Sequence, residues 1–154
     1  MTSFQKILFS CSLFILSTAC SDTDDADCEL VLCAPNQVIS LELLVDGTNV
    51  LADRTYTLED ISVTGTNDEE LNLLVRESEF GGPEALLEIS SFDWKVGSYS
   101  YLIRLGNDWM FQVEVEFTSS SDPCCRQFLI IRELTSPTLT VLKNTSYFTI
   151  ILPQ

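Results

Sequence analysis

The chain has 154 residues, of which 23 are acidic and 8 basic, giving a formal charge of −15, and it contains no histidine. Such a chain lacks the clustered cations that nucleic-acid binding requires. The missing histidine excludes Ser-His-Asp and Cys-His centres, His-containing metal sites and the commonest general base.

Residues 1–19 have the layout of a secretory leader. Lys6 is followed by the apolar run 7–16 and then by Ser17, Thr18 and Ala19. The apolar run is shorter than the ~20 residues a bilayer span needs. Cys20 follows directly. Together these residues resemble the lipobox of bacterial lipoproteins, in which a small residue precedes a cysteine that becomes acylated. Ser17 stands where that pattern usually has Leu, and Leu16 lies one place earlier. The resemblance implies that Cys20 is the lipidated first residue of the mature chain, anchored in the outer membrane. Removing the leader leaves seven cations against 23 carboxylates, a formal charge of −16. That charge suits neither anionic lipid nor nucleic acid, so the acyl group must do the anchoring.

Ser21, Asp22, Thr23, Asp24, Asp25, Ala26 and Asp27 form a polar acidic run that cannot bury enough apolar surface to fold. Residues 20–36 are therefore read as a tether. Ser21, Asp22, Asp24 and Asp25 also resemble the surface-export signal of Bacteroidetes-type lipoproteins, which implies a place on the cell surface rather than on the periplasmic face. Asp27 stands where an EF-hand loop counted from Asp22 would need glycine, so no calcium loop is expected.

Residues 37–154 show period-two alternation and turn residues throughout. Ile39, Leu41, Leu43 and Val45 form one apolar face, closed by the Asp46-Gly47 turn. Only residues 57–60 could start a helix, and a short strand is expected over 60–64. Residues 71–77 and 85–90 flank Gly81-Gly82-Pro83 as a hairpin. Asn67, Asp68, Glu69 and Glu70 read as a solvated turn. Tyr99, Tyr101, Ile103 and Leu105 pair through Gly106-Asn107-Asp108 with Trp109, Phe111, Val113, Val115 and Phe117. Residues 128–132 are mostly apolar on both faces and read as a central strand. Residues 139–142 and 147–152 could pair around Lys143-Asn144-Thr145, and an uncovered edge at 147–152 would favour pairing with a partner strand.

Seven to nine short strands with hairpin turns predict an all-β, antiparallel sandwich. Two stretches are similar to the small sandwich domains of Bacteroidetes lipoproteins: Asp-Pro-Cys-Cys at 122–125, and the turn, Thr-Tyr pair and aspartate within 46–65. The resemblance implies an Ig-like or transthyretin-like fold, and it implies no activity.

With Cys11 in the leader and Cys20 acylated, Cys28, Cys33, Cys124 and Cys125 remain. Four cysteines permit three pairings. Those linking Cys28 and Cys33 to Cys124 and Cys125 avoid a strained ring at the adjacent pair, and their order stays open. Such a loop would contribute ~4–5 kcal/mol in the chain-entropy model. Adjacent cysteines lack zinc-site spacing. Trp94, near a loop, is the aromatic residue best placed to stack on a sugar ring. No catalytic residue, metal ligand or cofactor is expected. The reading is a surface-exposed, non-catalytic binding module with a glycan or envelope-protein partner. The alternatives are a structural or accessory lipoprotein of an outer-membrane assembly, or a small carboxylate-dependent hydrolase.

Overall fold

Strand β1 (Val38–Val45) turns Ile39, Leu41 and Leu43 fully inward and alternates them with Ser40, Glu42 and Leu44. This computed structural model describes residues 38–66, 69–77, 82–121, 124 and 128–153. The Asp46-Gly47 turn has φ of 52° and 77°, the paired positive values of a two-residue hairpin turn. It returns the chain to β2 (Thr48–Asn49), which pairs with the end of β1. Asn49 is buried. Its Nδ2–H donates to the Ala85 carbonyl at 2.8 Å, and its Oδ1 accepts from the backbone N–H of Leu51 and Ala52.

Past Tyr56 comes a single 3-10 turn, Leu58–Asp60, at the place where a helix start was expected. The Thr57 backbone N–H and hydroxyl both donate to Asp60 Oδ2, at 2.9 and 2.8 Å. These two bonds hold the Asp60 carboxyl below its ordinary 3.8. A depressed carboxyl stabilises the fold above its unfolded value, and the contribution is lost as pH falls through the folded one. Asp60→Asn is therefore expected to lower the denaturation midpoint at neutral pH. In acid, where wild-type Asp60 is itself protonated, the two midpoints should converge. Chemical denaturation across the acid range checks this.

The remaining strands are β3 (Ile61–Gly65), β4 (Asn72–Glu77), β5 (Ala85–Ser90), β6 (Gly97–Leu105), β7 (Trp109–Ser119), β8 (Leu129–Thr135), β9 (Thr140–Lys143) and β10 (Phe148–Leu152). The described strands form two mostly antiparallel sheets. One has the order β4-β5-β1-β10-β9 with β2 on β1, and the other β3-β6-β7-β8. Ile39, Leu41, Leu43, Leu87, Ile89 and Ile150 of the first share one buried cluster with Tyr101, Ile103, Leu105, Val113, Val115 and Phe117 of the second. Each such side chain contributes about 1.5–3 kcal/mol relative to exposure. The result is an all-β, sandwich-like fold, as the alternation predicts.

Two sequence expectations are corrected. Residues 128–132 do not form a central strand, because β8 is an edge paired only with β7 among the described strands. Its Leu129 and Ile131 are half-buried, while Ile130 is 43% exposed. A register shift then aligns Glu133 with Glu116, and the neighbouring Arg132 donates to Glu116 at 2.9 Å. These outward charges need water, which an edge supplies. Nor is 147–152 an edge, since β10 lies between β9 and β1, parallel to β1.

The registers within each sheet, joined by short connections such as residues 91–96 between the sheets, sort most strand termini to two ends. Val38, Gly65, Asn72, Ser90, Gly97, Ser119, Leu129, Lys143 and Phe148 lie at one end. We call it the entry end, because the chain preceding Val38 joins the fold there. Val45, Ile61, Glu77, Ala85, Leu105, Trp109 and Leu152 lie at the far end.

Candidate functional site

The loop of residues 91–96 crosses from β5 to β6 at the entry end. It has no apolar periodicity, so its conformation is set by its bonds to the strands beneath. Trp94 points inward and is only 7% exposed, with its ring centroid 4.7 Å from Phe117 and 6.3 Å from Tyr101. Its Nε1–H donates to the Tyr101 hydroxyl at 2.7 Å. The next backbone N–H, of Lys95, donates to the Tyr99 hydroxyl at 2.8 Å. Asp93 N–H donates to Ser91 Oγ at 3.2 Å. Tyr99 stacks parallel to Tyr101 and meets Phe117 edge-on, at 6.4 and 5.6 Å. Buried tyrosine and tryptophan polar atoms need partners, and here those partners brace the loop on both sides of Trp94. The braced loop presents Phe92 at 85% exposure and Val96 at 59%, with exposed Lys95 between them.

Glu69 lies at the same end. Both its carboxylate oxygens are buried and neither has a hydrogen-bond partner. The carboxylate occupies space left by Gly65, where a Cβ would come within 2.7 Å of Glu69 Cδ. Burial first, and the Glu69 carboxylate second, push the Tyr101 phenol far above its ordinary range. Tyr101 is therefore a neutral hydroxyl.

The far end is carboxylate-rich. A groove of about 500 Å³ is lined there by Glu42, Leu44, Asn49, Asp53 and Glu84, with Gly47 and Gly82 in its turns. Thr149 Oγ1–H donates to Glu42 at 2.7 Å. The Thr55 backbone N–H holds the Asp53 carboxyl below its ordinary value, with the Thr55 side chain adding to the effect. Tyr56 donates its hydroxyl to Asp108 at 2.8 Å. Among the described residues no three His, Cys, Asp or Glu side chains are grouped so as to hold a metal ion.

Of the residues singled out in the sequence, Cys20, Ser21, Asp22, Asp24, Asp25, Cys28, Cys33 and Cys125 lie outside the described residues. Cys124 is disulfide-bonded to a partner that also lies outside them. Trp94 is a core residue rather than an exposed ring, and the exposed aromatic of its loop is Phe92. Glu69, read as part of a solvated turn, has its carboxylate buried instead. Tyr101 is fully buried, and Tyr99 and Trp109 pack partly buried against the core, as their alternation implied. Glu114 and Glu116 project from the outer face of the β6–β7 sheet, Glu116 held by Arg132. Phe92, Val96 and Glu69 were missed. The available signal was the pair of Tyr99 and Tyr101 hydroxyls, which needed donors or acceptors from a neighbouring segment.

Comparison of the chain with protein-family models, curated proteins and solved structures gave no match.

Proposed function

We propose that the protein is a non-catalytic binding module of the bacterial outer membrane, lipid-anchored through Cys20 and displayed at the cell surface. Its sandwich would be of the Ig-like or transthyretin-like type. One observation carries the reading: the two ends of the domain differ in character, and the tether joins the less charged one. The tether from Cys20 joins the domain at Val38, so the entry end is the end nearest the anchor along the chain. The far end, with its acidic groove, then faces outward, where it suits a partner carrying cationic groups.

Growth with a fatty-acid analogue tests the anchor. Wild-type protein is expected to incorporate the label and Cys20→Ala to lose it, with the variant shed into the soluble fraction. Equal labelling of the two would overturn the reading. Protease added to intact cells checks the display, since digestion is expected before lysis and not only after it.

A further inference from the structure

We infer that Phe92 and Val96 form a lipid-contacting tip, which rests in the interfacial layer of the membrane and holds the domain upright with its acidic end outward. The inference rests on the proposed acylation of Cys20 and adds a second, protein-borne membrane contact.

Position comes first. Residues 91–96 follow Ser90, and Ser90 is the register partner of Val38, the residue at which the tether enters. Along the chain, the N-terminal lipid is therefore nearest to this loop and farther from the far-end turns. Chemistry comes second. Phe92 and Val96 are two of the most exposed large apolar side chains among the described residues, and they share one loop. Lys95, exposed between them, supplies a cation at the depth of the phosphate groups, as interfacial segments do. The third point is rigidity. Trp94 and the Lys95 N–H are tied to Tyr101 and Tyr99, so the loop is already ordered and loses little conformational freedom on contact.

Charge polarity supplies the fourth point. Asp46, Asp53, Glu59, Asp60, Glu84 and Asp108 all sit at the far end. The far end adds Glu77 and the cation Arg54 to these, while at the entry end Glu69, Glu70 and Asp93 stand against Lys95 and Lys143, a smaller excess of negative charge. Headgroup phosphates repel the folded far end more strongly than the folded entry end, which favours the orientation with the tip toward the membrane.

The test uses the full mature chain, acylated at Cys20, in phosphatidylcholine vesicles whose acyl chains carry bromine, a short-range quencher of tryptophan emission. The Trp109→Phe background leaves Trp94, directly behind the tip, as the single tryptophan. Trp94 emission is expected to fall relative to vesicles of unbrominated lipid. The loss should disappear in Phe92→Ser/Val96→Ser, which stays vesicle-bound through its lipid. Both substituted side chains are exposed, so this variant keeps its fold, as circular dichroism would verify. Undiminished emission from vesicle-bound wild type would overturn the tip and leave the anchor standing, and points to a protein pocket as the loop's partner. Quenching that persists in the double variant would also overturn it. Protein that floats free of the vesicles would refute the anchor, and the tip with it.

Discussion

Trp94→Ala is expected to cost about 3–5 kcal/mol of stability, the range for removing a large aromatic side chain from a core. The indole fills the space between Phe117 and Tyr101 at the entry end, and its N–H is the donor to the Tyr101 hydroxyl. Alanine would leave a cavity, strip Tyr101 of that donor and release the loop that carries Phe92. Against a typical total of about 5–15 kcal/mol, such a loss is large. Trp94→Phe keeps most of the volume and loses the hydrogen bond, so about 1–2 kcal/mol is expected. Urea denaturation of wild type and both variants measures the series. A Trp94→Ala protein as stable as wild type would refute the core assignment and return the indole to the solvent-facing role that its loop position suggested.

The sequence made strands legible wherever period-two alternation ran uninterrupted. β6 and β7 pair residue for residue from Gly97–Phe117 to Leu105–Trp109, as the shared apolar face and the Gly106-Asn107-Asp108 turn implied. Asp46-Gly47 closed β1 for the same local reason. What stayed hidden was non-local. The parallel pairing of β1 with β10 joins Leu41 to Phe148, and no turn signal connects segments so far apart. That pairing put β10 inside its sheet and left β8 at an edge of the other. The apolar run of β8 could not reveal this, because a strand apolar on both faces fits either place until its outward charges are seen to need water.

Loops were less legible still. Within Phe92-Asp93-Trp94-Lys95 both aromatic residues are candidates for exposure, and only the tyrosine hydroxyls beneath decide which turns inward. In Asn67-Asp68-Glu69-Glu70 polarity alone predicts solvation. Gly65, four residues before Glu69, provides the space that draws one carboxylate inside. A missing side chain leaves no mark in a hydropathy pattern.

Glu69→Met should therefore stabilise the protein by about 1–3 kcal/mol. Burying a carboxylate without a partner forfeits its hydration and gains no hydrogen bond in exchange, whereas an apolar side chain of similar length carries no such penalty. The Glu69 oxygens have both given up water and neither accepts a hydrogen bond. The Tyr101 hydroxyl accepts from Trp94 and lies close enough for the Glu69 carboxylate to act on it. Methionine would fill the space over Gly65 and remove the field now acting on the Tyr101 phenol. Tyrosine absorbance followed with rising pH should show this as easier ionisation of the folded protein, while the urea midpoint rises with an unchanged slope. Glu69→Gln separates charge from shape. The amide keeps the length and removes the charge but still buries polar atoms, so its gain should be smaller than that of methionine. If Glu69→Met instead lowered the midpoint, the carboxylate would have a favourable partner in the folded protein, and the entry end would be held by a polar contact rather than by aromatic packing alone.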